Sequence, residues 1–204
     1  REDTASADEN AVLYTKIDTL GYSAYVFANE NDSVLFRVRF SNVGIGNDSL
    51  RALTTAGSNV AIGHQATDNG TSASGNVSIG YRALRYNVTG DYNIAIGAEA
   101  GQGSSGNSHS YNVSIGYQSA KITTGAANTS LGYQTLLRQT TGANNLAVGI
   151  QSGDLIVDGE SNTLLGSYAG NSITTSNNNT LIGSNSGQSI STGSFNTITG
   201  SNAG

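Results

Sequence analysis

The residues that could do chemistry are few, and their spacing gives them little to do. His64 and His109 are the only histidines, and they occupy unrelated loop positions. A metal site or a nucleophile–base pair needs groups that converge, so both are expected as solvated loop residues. Asp154, Asp158 and Glu160 share one connection and could hold a Ca²⁺ loosely, but they lack the ordered Asp and Gly spacing of a calcium loop. The absence of cysteine excludes a disulfide framework, a thiolate metal site and a cysteine nucleophile. The expectation is a non-enzyme with no catalytic residue, no metal and no cofactor. Tyrosine is the remaining candidate. Tyr81, Tyr117 and Tyr133 recur at one kind of turn, with Tyr86, Tyr92, Tyr111 and Tyr168 nearby. Exposed aromatic rows can stack on sugars, which makes Tyr81, Tyr117 and Tyr133 candidate glycan contacts. They pack equally well between neighbouring chains, and that reading is preferred.

The elements that must position these residues are set by a repeat. Asn, two residues, an aliphatic residue and Gly recur ten times, beginning at Asn42, Asn59, Asn76, Asn93, Asn112, Asn128, Asn145, Asn162, Asn179 and Asn196. The step is 17 residues, except for 19 after Asn93 and 16 after Asn112. Large or β-branched residues stand one and three places after the Asn, as in Val60 and Ile62 or Ile94 and Ile96, with a small residue between them in the first seven copies. That alternation predicts a short strand with one bulky and one small face. The Gly ends the strand where the turn needs φ > 0 or a close backbone approach. A residue three places after the Gly is small in every copy, from Ser49 and Ala66 to Ser186 and Ala203, and marks tight packing. Strands and turns at a fixed step predict an all-β parallel β-solenoid or β-roll of ten coils over residues 42–204, with the asparagines in a hydrogen-bonded column. The two extra residues of the long copy are expected as a protruding loop within Gly101–Tyr111.

Two large aliphatics per strand, with occasional help from Leu53, Ile156, Ile173 or Ile190 at the turns, look too few for a coil to close alone. Sharing the column among three chains about one axis would give each layer a dry cluster. Ile62, Ile79, Ile96, Ile115, Leu131 and Val148 are the predicted inter-chain core of a homotrimer.

At these residues a resemblance enters. Asn59-Val-Ala-Ile-Gly63 and Asn93-Ile-Ala-Ile-Gly97 resemble head repeats of trimeric autotransporter adhesins, which implies three chains wound as parallel β-rolls. Ala127-Asn-Thr-Ser-Leu-Gly-Tyr-Gln-Thr-Leu136, preceded by Thr124-Gly125, is similar to repeats of phage and virus tail fibres, and Asn112-Val-Ser-Ile-Gly-Tyr-Gln-Ser119 carries the same Tyr-Gln pair. The resemblance covers residues 42–204. It departs in step, since the adhesin repeat is usually shorter than 17, and no stretch matches an adhesin anchor or a fibre chaperone domain.

Outside the repeat, residues 1–9 read as a flexible polar tail. Residues 10–41 read as a short N-terminal β region that caps the solenoid or docks another chain, with Val34, Phe36, Val38 and Phe40 alternating along one strand. Companion strands are expected at Ala11–Tyr14 and Tyr22–Phe27, with turns at Gly21 and at residues 29–32. Arg1 is not a translational start and Gly204 falls within the tenth copy, so a longer parent chain or a covering subunit is expected. Nine Lys+Arg against fourteen Asp+Glu give a net charge of −5, which argues against a nucleic-acid partner. No apolar run is long enough to insert in a membrane. The functional expectation is a structural fibre segment on a cell or virion surface, serving attachment to a receptor or cell-surface glycan. The alternatives are a subunit joined end to end into extracellular filaments, and a glycan- or ice-binding solenoid. For ice, only Thr197-Ile-Thr199 shows the Thr-x-Thr spacing.

Overall fold

Each copy of the repeat makes one coil, and each coil lays its strand beside the strand of the next. The computed structural model describes the backbone of residues 12–17, 23–28 and 34–39 and the whole of residues 41–204. Thirteen strands lie in one sheet in chain order. The first three, β1 (Val12–Ile17), β2 (Ser23–Ala28) and β3 (Val34–Arg39), form an antiparallel meander, and β3 pairs antiparallel with β4 (Asn42–Ile45). From β4 onward every pairing is parallel. The remaining strands are β5 (Val60–Ile62), β6 (Val77–Ile79), β7 (Ile94–Ile96), β8 (Val113–Ile115), β9 (Thr129–Leu131), β10 (Leu146–Val148), β11 (Thr163–Leu165), β12 (Thr180–Ile182) and β13 (Thr197–Thr199). Their register repeats without slip: Val60 pairs with Val77, Ile79 with Ile96, Ile115 with Leu131, Leu165 with Ile182. The described residues thus form an all-β parallel solenoid of about nine turns, with no helix among them. At about 4.8 Å per coil, the stack is roughly 40–50 Å long. The expected tail over residues 1–9, the turns at Gly21 and residues 29–32, and Phe40 lie outside the described residues.

The asparagines carry the stack. In coil after coil the Oδ1 of one Asn accepts the backbone N–H of the next: Asn59 to Asn42 at 2.8 Å, Asn76 to Asn59 at 2.9 Å, Asn145 to Asn128 at 3.0 Å. From Asn42 to Asn162, each Nδ2 donates across the coil to the carbonyl of the residue three places before the next Asn, which is Ala56, Ala73, Gly90, His109, Gly125, Gly142, Gly159 or Ser176. One side chain therefore closes its own coil and ties down the next. The nine asparagines from Asn42 to Asn179 are buried, as an unpaired amide could not be.

The closing glycines form a second column. Their φ runs from +117° to +141°, and a Cβ on Gly97 would lie 2.5 Å from the Gly116 carbonyl oxygen. No side chain fits.

The strand faces correct the sequence-based arithmetic. The residue between the two large ones points inward: Ala61, Ser78, Ala95, Ser114, Ser130 and Ala147 are buried, while the flanking aliphatics look outward. The coil core comes from the turns instead, with Leu50, Leu84, Leu136, Ile156 and Ile173 buried. A single chain closes its own coils because these turn residues, only partly counted from sequence, fill them. They fill them by a rule. Where the strand centre is small, the residue six places on is large in three of the seven coils (Gly44 with Leu50, Ser78 with Leu84, Ser130 with Leu136). Where the centre is Leu164, Leu181 or Ile198, that residue is Gly170, Gly187 or Gly204. A Cβ on Gly170 would meet Leu164 at 2.8 Å, and one on Gly187 would meet Leu181 at 2.5 Å.

Candidate functional site

Along the outer face of the solenoid, positions one and three after each Asn form two columns of mostly aliphatic side chains, interrupted by Thr129, Thr163, Thr180, Thr197 and Thr199. Ile79, Ile94, Ile96, Leu131, Leu146 and Ile182 are exposed, and Ile62, Ile115 and Val148 are half-buried. All six residues predicted as an inter-chain core lie on this face, in register from coil to coil. Their orientation follows from the asparagine. With Asn turned inward to reach the next backbone N–H, the pleat turns the following residue outward.

Two aromatic columns flank the face in sequence. Immediately after the Gly come His64, Tyr81, Tyr117 and Tyr133, in different coils. His64 stacks on Tyr81 with ring centroids 5.7 Å apart, and Tyr117 on Tyr133 at 5.5 Å. Just before the Asn, Tyr92 stacks on Tyr111 at 5.7 Å, both well exposed, and Phe195 stands out alone. The spacing of neighbouring coils makes such stacking possible. Tyr81, Tyr117 and Tyr133 are thus brought to one column, and all three are exposed.

A polar rail runs beside this column, two places after the Gly. Arg82 Nε donates to Gln65 Oε1 at 2.9 Å, Gln118 Nε2 to Glu99 Oε2 at 2.8 Å, and Gln134 Nε2 to Gln118 Oε1 at 2.8 Å. Lys121 reaches Glu99 at 2.8 Å, and its hydrogen bond, aided by that of Gln118, holds the Glu99 carboxyl below its ordinary range.

Buried charge occurs at Asp68, which sits between Arg51, bonded to it through Nε at 2.7 Å and Nη2 at 3.2 Å, and Arg85 at 3.5 Å. This triad joins three successive coils.

His109 corrects the sequence reading. It is buried in the long copy, where it stands in the column three before the Asn that is otherwise Ala, Gly or Ser. The Gly101 carbonyl, 3.1 Å from Nε2, can only accept, so Nε2 carries the proton and Nδ1 accepts from Asn112 Nδ2 at 3.1 Å. Desolvation lowers its pKa to about 4, against a smaller opposing effect of the Gly101 hydrogen bond. The column of small residues was the available signal, and it was hidden by the 19-residue step. The extra residues of that step emerge at Ser104–Ser108, exposed and without strand structure.

The acidic trio is not brought to one point. Asp158 accepts from Thr141 Oγ1 at 2.7 Å and Thr140 Oγ1 at 2.9 Å, which lowers its pKa. Asp154 faces Arg138 at 4.0 Å, and burial raises its pKa. Among the described residues no three His, Asp or Glu side chains are grouped as metal ligands. No family model, no curated protein and no solved structure matches the chain.

Proposed function

We propose that residues 42–204 are the shaft of an extracellular or virion-surface attachment fibre, non-enzymatic and homotrimeric, with the aliphatic faces of three rods turned toward a common axis. One observation carries the reading: the large side chains one and three places after each strand's Asn face outward, and the coil interior is filled from the turns and strand centres. Asn and a Gly, Ala or Ser occupy the inward strand positions from β4 to β10, with Leu164 inward in β11, while Val, Ile and Leu occupy the outward ones through eight successive coils from β4 to β11, apart from Thr129 and Thr163. A strip two side chains wide and about 40 Å long covers on the order of 400 Å², at the scale of the largest apolar patches on soluble monomers, which are often functional. The periodic face suits a partner of the same period, and a second copy of this chain has it. The resemblance to adhesin heads and tail-fibre repeats points the same way. Residues 10–41 would then join the shaft to a neighbouring element.

Analytical ultracentrifugation tests the assembly. The wild-type chain is expected to sediment as a trimer. Ile96→Asp should dissociate it, because three carboxylates would meet in one dry layer without solvent or cations. Ala98→Asp, at the partly exposed turn, should leave it intact. A stable wild-type monomer would overturn the reading.

A further inference from the structure

The aromatic column after the glycines has a gap. Four of its five successive places from the second coil to the sixth hold a ring: His64, Tyr81, Tyr117 and Tyr133. The fifth, between Tyr81 and Tyr117, holds Ala98. The pairs on either side are stacked, His64 on Tyr81 at 5.7 Å and Tyr117 on Tyr133 at 5.5 Å. Tyr81 is covered by His64 and by the Arg82 guanidinium, whose Cζ lies 4.7 Å from the ring centroid as it leans toward Gln65 of the preceding coil, and Tyr117 is covered by Tyr133, so the faces that remain flank Ala98. Carrying the observed ring step through the missing place sets the two centroids about 11 Å apart, which leaves room for one inserted ring. Both walls are exposed, Tyr81 at 41% and Tyr117 at 47%, and the Ala98 floor is partly so.

We infer that this slot is a binding site for a single pyranose ring of the β-gluco configuration, sandwiched between Tyr81 and Tyr117 over Ala98. The chemistry follows from the walls. A tyrosine ring carries negative potential on its face and attracts the slightly positive hydrogens of C–H groups. In a β-glucopyranoside every ring substituent is equatorial, so both faces of the sugar present axial C–H groups, one face for each wall. A β-galactoside turns the O4 hydroxyl axial and an α-mannoside the O2 hydroxyl, so each sets a hydroxyl against one of the rings. The equatorial hydroxyls point outward around the rim, where the residue following the floor is Glu99, an acceptor. Glu99 is held in place by Gln118 and Lys121, while Arg82 is drawn away toward Gln65 of the preceding coil. The slot is built within one chain and does not rest on the trimer.

Saturation-transfer NMR on the whole chain, with methyl β-D-glucopyranoside, methyl β-D-galactopyranoside and methyl α-D-mannopyranoside at millimolar concentration, tests the site. The expected result is saturable transfer to the ring hydrogens of the β-glucoside, about tenfold weaker binding of the other two, and shifts confined to Tyr81 and Tyr117. Ala98→Tyr completes the column with a residue that the equivalent places already carry, and should abolish binding while circular dichroism and sedimentation stay unchanged. Tyr117→Ala removes one wall without filling the slot and should weaken binding about tenfold. Absence of saturable transfer to the wild-type chain would overturn the inference. So would binding that survives Ala98→Tyr, or binding of phenol in preference to all three sugars.

Discussion

Asn145 shows how much one repeat residue holds. Its Oδ1 accepts the Asn162 backbone N–H at 2.9 Å and Nδ2 at 3.1 Å, while its own Nδ2 donates to the Gly159 carbonyl at 2.7 Å. Asn145→Ala would leave a buried N–H and a buried carbonyl unpaired, and is expected to cost roughly 2–4 kcal/mol in urea denaturation. Asn196→Ala, in the last and only partly buried coil, should cost less than about 1 kcal/mol. Equal losses at the two positions would show that the ladder is not the source. His109 makes a different demand. Its folded pKa of about 4 lies below the unfolded value near 6.5. The neutral ring is thus favoured in the fold, and protonation favours the unfolded chain. Its contribution is whole above pH 6.5 and falls as the pH drops to about 4, by about 3 kcal/mol in all. A urea midpoint followed between those pH values should decline in the wild type and decline less in His109→Gln. If the two profiles run parallel, His109 is not the titrating group.

At the scale of the element, the strand centre and the turn six places later share one space. Gly187→Leu alone should clash with Leu181, and Leu181→Ala alone should leave a cavity, each costing roughly 2–4 kcal/mol. Together they recreate the pairing of Ser130 with Leu136, and the double variant should recover at least half of the summed loss. The left-handed backbone is no obstacle, since Leu136 adopts φ 49° at the equivalent place. Additive losses in a double-mutant cycle would show that the two sites are independent. The Asn and Gly columns, the parallel pairing and the extra loop at the 19-residue step stood in the sequence, whereas this pairing of centre with turn became visible only once the coils were stacked. Which strand face turns inward was less legible. Period-two alternation marks two faces, and burying the bulkier one is the ordinary expectation; here the hydrogen bonds of Asn, a polar residue, set the choice. The aromatic slot was hidden for a related reason. The tyrosines were visible as a group, but the missing ring at Ala98 has meaning only once the coils are stacked in register.

In the proposed trimer, charge and apolar surface would oppose each other in a way that makes assembly sensitive to salt. Each chain carries a net charge of −5, and residues 139–204 contain Asp154, Asp158 and Glu160 but no Lys or Arg. The ion pairs described in the solenoid are Arg51 and Arg85 with Asp68, Lys121 with Glu99 and Arg138 with Asp154. Parallel chains about one axis would set like carboxylates at the same height, with no described cation in the last four coils to offset them. The aliphatic faces would draw the chains together and the net charge would push them apart. Salt screens the repulsion, with a Debye length near 10 Å at 0.1 M and near 3 Å at 1 M, and leaves apolar burial intact or strengthened. The dissociation constant of the proposed trimer, read by sedimentation on dilution, is therefore expected to fall several-fold as NaCl rises from about 0.02 M to about 0.5 M. The thermal midpoint should rise with protein concentration at both salt levels, as it must when folding and association are linked. Weaker association at high salt would mean that ion pairs between chains, rather than the outward Val, Ile and Leu columns, hold the fibre together.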